Sequence, residues 1–123
     1  YSGVISIFTE RARAGLPITL FGDGEQTRDF VYVADLVAVL VQALLNPQVS
    51  VGAVNVGLGQ STSLLQLLAA IEGLLGSLPT ITHVQARYGD IRHSRADNRR
   101  LLERFVLLEP TTLAAGLQQL LVR

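Results

Sequence analysis

The chain has 123 residues and no net charge, with ten acids balanced by ten basic residues that are all arginine; lysine, cysteine, methionine and tryptophan are absent. The length fits one domain that buries roughly two thirds of the surface its unfolded chain exposes, and an apolar share of 49% against 16% charged residues is that of a folded globular protein. These absences remove disulfide frameworks, thiolate nucleophiles, zinc–thiolate sites, Schiff bases and P-loop ammonium chemistry, and the zero balance removes the basic field that holds nucleic acid.

Val4, Ile5, Phe8 and Ala12 recur at helical spacing and Gly15 and Pro17 supply a stop, which predicts an amphipathic first helix. The chain starts at Tyr1 with no leader pattern, so it reads as an excerpt of a longer one. Ile18 to Phe21 reads as a short strand, Gly22-Asp23-Gly24 as a turn, and Asp29 to Val33 as a second strand. Asp35 then sits in the first turn of a helix whose run from Leu36 to Leu45 is almost wholly apolar and ends at Asn46-Pro47. That run falls short of the ~20 residues that cross a bilayer, so no membrane span is expected. Such a helix needs cover on most sides, since each buried Val or Leu contributes ~1.5–3 kcal/mol.

Ala53 to Val56 is a further strand candidate, leading through Gly57-Leu58-Gly59 to a capping box, Ser63 with Gln66, that opens a helix carrying Leu64, Leu67, Leu68 and Ile71. Gly76 and Pro79 close it. Thr80 to Ala86 reads as extended, Arg87 to Ser94 as a polar connection, and Ala96 to Leu108 begins as a charged helix. Leu113, Leu117, Leu120 and Leu121 mark a last helix after Glu109-Pro110-Thr111. The expected fold is mixed α/β, about five helices with short strands, in one domain over residues 1–123.

Chemistry concentrates from Phe21 to Asp35. A glycine turn and a loop with one arginine can aim a planar five-donor fork at a phosphate, with an aromatic beside it for a base. Arg28 is that candidate; the alternative is a surface pair with Asp29 or Asp35, with Phe21 in the core. Gly57-x-Gly59 imitates a dinucleotide fingerprint but has Thr62 at the third glycine position and no acid at the right distance, so it reads as a structural turn. His83 and His93 lack a second ligand at metal spacing. Arg92, Arg95, Arg99, Arg100 and Arg104 alternate with Asp97 and Glu103, as on a solvated, salt-bridged face. Tyr32 is followed four positions on by Leu36, so no Tyr-x-x-x-Lys pair is present.

The runs Ile18-Thr19-Leu20-Phe21-Gly22-Asp23-Gly24, Arg28-Asp29-Phe30-Val31-Tyr32-Val33, Asn55-Val56-Gly57 and Arg87-Tyr88-Gly89-Asp90-Ile91-Arg92-His93-Ser94 resemble, in order, the extended short-chain dehydrogenase/reductases, the NAD-dependent epimerase/dehydratases. The resemblance covers roughly the first hundred residues. It weakens after Leu101-Leu102, where the family's Gly-aromatic-x-Pro turn is missing. It implies the C-terminal, nucleotide-sugar-binding part of a cytoplasmic enzyme of Rossmann type, with a UDP-sugar as ligand. By resemblance, Arg28 and Arg87 hold the diphosphate, Thr19 and Phe21 border the uracil, Asp90 lies near the nucleotide and Ser94 faces the hexose. A small residue at the Ser94 position implies room for 2-acetamido sugars. NAD and the catalytic tyrosine and lysine would belong to an N-terminal Rossmann lobe, leaving this part with no cofactor and no turnover of its own. The helix over Leu36–Leu45 and the strand over Ala53–Val56 would then lack their neighbours and be covered by another copy of the chain, giving a homo-oligomer.

Overall fold

The computed structural model describes residues 3–47 and 52–122. In chain order the elements are α1 (Val4–Ala14), β1 (Ile18–Phe21), β2 (Thr27–Arg28), α2 (Val33–Leu45), β3 (Thr62–Ser63), α3 (Leu64–Leu75), β4 (Ile81–Val84), α4 (Arg99–Arg104) and α5 (Leu113–Leu121).

Local signals account for most of the ends. Gly15, left-handed at φ 67°, closes α1 by turning its N–H back to the last carbonyls. Ser63 accepts from the Gln66 amide at 3.1 Å while Gln66 Oε1 accepts from the Ser63 amide at 2.8 Å, the reciprocal box expected from the sequence. Thr112 caps α5 one way only, its hydroxyl accepting from the Ala115 amide at 3.2 Å.

The strands form two short sheets. β1 and β4 run parallel with Ile18 opposite Ile81 and Phe21 opposite Val84, and β2 pairs antiparallel with β3, Thr27 opposite Ser63. Along β1 every second side chain turns inward, so Ile18 and Leu20 are wholly buried while Thr19 is exposed and Phe21 half-buried. Ile18 and Leu20 meet Phe8 of α1, Leu64, Leu67, Leu68 and Ile71 of α3, and Leu117 and Leu121 of α5 in one cluster. This core fixes the floor on which the candidate site stands.

Four expectations change. The second strand is Thr27–Arg28 rather than Asp29–Val33: Phe30-Val31-Tyr32 has strand-like side chains, but the ladder partner Thr62–Ser63 stands opposite residues 27 and 28, and Tyr32 already forms the extended cap of α2. Helix α2 accordingly starts at Val33, with Asp35 in its first turn. Ala53–Val56 forms no strand, since no described strand lies beside it to complete a ladder. The charged helix contracts to Arg99–Arg104, because Phe105 turns extended and the next residue is held to α2, where Gln42 donates to the Val106 carbonyl at 2.7 Å and accepts from its amide at 2.9 Å.

Helix α2 is also far less covered than its composition demands. Only Val39 is buried, and Val33, Val37, Leu40, Val41, Leu44 and Leu45 are all exposed, Leu44 to 80%. Their spacing makes one continuous stripe. On another side the helix is tied to residues 106–111 by Gln42 and by Asp35, which accepts from the Thr111 amide at 2.8 Å and its hydroxyl at 3.0 Å.

Candidate functional site

A cleft of about 300 Å³ opens between the N-terminal end of α1, strand β1 and the loop after β4. Thr19, Phe21, Arg28, Arg87 and Asp90 all line it. They reach it from three separate pieces of chain. Thr19 and Phe21 come from β1, and Arg28 from the end of β2. Arg87 and Asp90 come from the loop that β4 delivers by pairing with β1.

The arginines are already oriented. Arg28 donates from Nη1 to the Thr27 carbonyl at 2.8 Å and reaches Asp90 Oδ1 from Nη2 at 3.3 Å. The sequence offered Asp29 or Asp35 as its partner; the ion pair is instead with an acid 62 residues away in the chain. The guanidinium of Arg87 lies over the Phe21 ring, 3.7 Å from its centroid, a cation–π contact that keeps the charge at the mouth of the cleft. Phe21 is therefore a stacking surface rather than a core residue. Two cations and one carboxylate leave the cleft net positive, suited to an anion of more than one charge.

Ser94 is the exception: it does not line this cleft. Its amide donates to the Thr27 carbonyl at 3.1 Å, one residue from Arg28, and its side belongs to a neighbouring hollow of about 360 Å³ shared with Asp29 and Asn55.

The loop from residue 85 onward is fastened to the turn after β1. Arg92 forms a two-pronged pair with Asp23 at 2.7 and 2.9 Å, its main chain accepts from the Thr27 amide at 2.9 Å, and His93 Nδ1 lies 2.9 Å from the Thr27 hydroxyl. Hydrogen bonding from Arg92, then from the Glu25 amide, draws the Asp23 carboxyl down to about 2. Arg99 does the same to Asp97, again to about 2. Within the arginine-rich stretch Arg99 pairs with the interleaved Asp97, as the sequence indicated, whereas Arg92 finds its acid, Asp23, 69 residues away. His83 Nδ1 lies 3.1 Å from the Gly22 carbonyl, across the β1–β4 pairing, and among the described residues no cluster of three or more His, Asp or Glu side chains is placed to hold a metal ion.

Sequence reasoning passed over Gln26 and read Asp29 only as a surface partner for Arg28. Gln26 is buried at the back of the cleft and donates to the Phe21 carbonyl at 2.8 Å, fixing the strand end that presents the ring. A long polar residue five positions after that strand was its only signal. Asp29 accepts from three main-chain amides, Leu58 at 3.2 Å, Gly59 at 2.9 Å and Ala96 at 3.2 Å. The Gly57-x-Gly59 turn, set aside as structural on its spacing, thus spends its N–H groups on this internal carboxylate. A separate hollow of about 220 Å³ between α5 and Phe30–Tyr32 is lined by apolar, threonine and tyrosine side chains with no charged group, and offers an anion nothing.

Residues 1–57 match the model of the NAD dependent epimerase/dehydratase family. Over 116 residues the chain is 39% identical to the UDP-glucose 4-epimerase of Mycolicibacterium smegmatis, an alignment that takes in 94% of this chain and 37% of that protein. The structure of UDP-glucuronic acid 4-epimerase from Bacillus cereus with UDP-glucuronic acid and NAD superposes with a TM-score of 0.86 at 25% identity, over 95% of this chain and 38% of that one. UDP-N-acetylglucosamine 4-epimerase from Methanobrevibacter ruminantium, in complex with UDP-N-acetylmuramic acid, gives 0.82 at 30% identity, over 99% of this chain and 40% of that one. The chain therefore spans about two fifths of the length of these relatives. The mixed α/β expectation, with its five helices and short strands, agrees with the Rossmann-type epimerases it superposes on.

Proposed function

Because this chain belongs to the NAD dependent epimerase/dehydratase family, we propose that it is the nucleotide-sugar-binding portion of such an enzyme, gripping the diphosphate of a UDP-sugar between Arg28 and Arg87. The observation that carries this reading is the convergence of Arg28, Arg87, Asp90 and the Phe21 ring on one cleft from three separated stretches of chain. Two guanidinium forks, one from β2 and one from the loop after β4, suit the spread oxygens of a diphosphate, and a half-buried aromatic beside them suits a pyrimidine face. Thr19 borders the base, and Asp90 lies near the nucleotide. Holding the nucleotide fixes which sugar carbon meets the reacting partner.

NAD does not fit the one turn that resembles its fingerprint. The turn that most resembles its fingerprint has its amides taken by Asp29, and a side chain at Gly57 would lie 2.8 Å from Asp29 Oδ2 and 2.5 Å from Ala96 Cβ. The cofactor, which supplies hydride transfer in this family, and the tyrosine–lysine pair belong in our reading to a Rossmann lobe outside this chain. The exposed stripe of α2 is the surface that such a lobe would cover, with a second copy of this chain as the competing occupant. Ser94, in the adjoining hollow, faces the sugar, and its size admits a 2-acetamido group.

Calorimetry of the chain with UDP tests the reading. We expect one site, weakened about tenfold by Arg28→Ala and by Arg87→Ala, as loss of a charge-assisted contact implies. Turnover of a UDP-sugar by this chain with added NAD would overturn the assignment of catalysis to another lobe. In a full-length enzyme carrying this sequence, rejection of UDP-N-acetylglucosamine beside normal use of UDP-glucose would overturn the role given to Ser94.

A further inference from the structure

We infer that Asp29, which points away from the cleft, is the positioning residue that holds Arg28 to its ligand. This deepens the reading of the cleft as a diphosphate site and rests on it. Successive residues of an extended chain project to opposite sides. Arg28 turns to Asp90 and the cleft, and Asp29 turns to the amides of Leu58, Gly59 and Ala96. Three N–H donors on one carboxylate make a fixed, charge-assisted anchor. Its ends are secured in turn. Asn98 donates to the Gly57 carbonyl at 3.1 Å, and Gly57 is buried where a Cβ would strike Asp29 and Ala96.

The same stretch is pinned on both edges. Thr27 gives its amide to Arg92 and takes that of Ser94, and Arg28 pairs with Thr62 of β3. What these contacts leave undetermined is the direction of the chain just past Arg28, and Asp29 fixes it. A long arginine aimed by a loosened backbone spreads its fork over several positions. A diphosphate then pays for ordering it on binding.

The test is a double-mutant cycle on the chain, with UDP as titrant. Asp29→Asn, which puts an amide N–H against one of the three donors, is expected to weaken UDP about tenfold with Arg28 present and less than twofold in the Arg28→Ala background. An equal loss in both backgrounds, or no loss, overturns the inference. Gly57→Ala is the second variant: it crowds Asp29 without removing any charge, and the same Arg28-dependent loss is expected. If the wild-type chain takes no UDP, the functional reading falls alone. The inference is then decided by the Arg28 Nε–H resonance. It should move toward the free-arginine position in both variants while the Leu67 and Ile71 amides stay in place, and an unmoved resonance overturns it.

Discussion

Asp90 is placed to compete with the ligand for Arg28, and replacing it isolates that competition. The pair is 3.3 Å apart, with 28% of the Arg28 side chain and 40% of the Asp90 side chain exposed. At that exposure the attraction is screened to about 0.2–1 kcal/mol. A pyrophosphate ion arriving at Arg28 has to displace the carboxylate and also meets its negative charge. Asp90→Asn removes both obstacles and should strengthen pyrophosphate binding by about 1.4- to 5-fold, the range that those energies convert to at 25 °C. The gain should shrink as salt is raised toward physiological strength, where the Debye length falls to about 8 Å. UDP should behave differently. Its ribose and base bring groups that a carboxylate near the nucleotide can accept from, so the gain on the diphosphate is offset and UDP improves less than pyrophosphate. Isothermal titration of both ligands into both proteins, at low and moderate salt, reads the two effects separately. Weaker pyrophosphate binding by Asp90→Asn would refute the idea that this acid restrains Arg28.

Other outcomes follow from the same geometry. Because the Asp23 carboxyl is held at about 2, below its ordinary 3.8, the contribution of the Arg92 pair is full above the ordinary value and is lost as pH falls toward 2. Asp23→Asn should flatten the acid limb of a melting-temperature profile between those limits, and an unchanged limb would count against the pair. Ser63→Ala should cost about 1 kcal/mol in urea unfolding by breaking the capping box of α3; a change near zero would mean the box is not formed in solution. Leu44→Glu with Leu45→Glu, on side chains 80% and 78% exposed, should alter unfolding free energy by less than about 0.5 kcal/mol each. The pair should also reduce dye binding to exposed apolar surface, and a large loss of stability would show that the stripe is packed.

What was legible in the sequence was mostly what is local. The box at Ser63 and Gln66, the glycine stop at Gly15 and the alternation of Ile18 to Phe21 each depend on residues a few positions apart. The expected second strand failed because strand propensity at Phe30-Val31-Tyr32 reports a side-chain shape suited to a half-buried surface, whereas a strand exists only where a partner supplies the ladder. That partner, Thr62–Ser63, carries no strand signal of its own. Arg28 and Arg87 were singled out as a pair by family likeness, and the cleft brings them together with Phe21 and Asp90. The partner of Arg28 was invisible, since spacing along the chain says nothing about an acid 62 residues on. Asp29 was hidden for a similar reason: its donors are backbone amides, which every residue but proline possesses.

The distance along the chain over which the cleft is stitched bears on how it forms. Arg28 to Asp90, Asp29 to Ala96 and Asp23 to Arg92 join residues 62, 67 and 69 apart, whereas the caps of α1 and α3 close within a few positions. Loops of that length lose entropy before any contact repays it, and contacts of high sequence separation slow folding. The capped helix ends are therefore expected to form first, and the anion cleft late, together with the core beneath it, whose residues Phe8, Leu67 and Leu117 are as widely spaced in the chain. During synthesis, no ligand can find a finished cleft until residue 96 has left the ribosome.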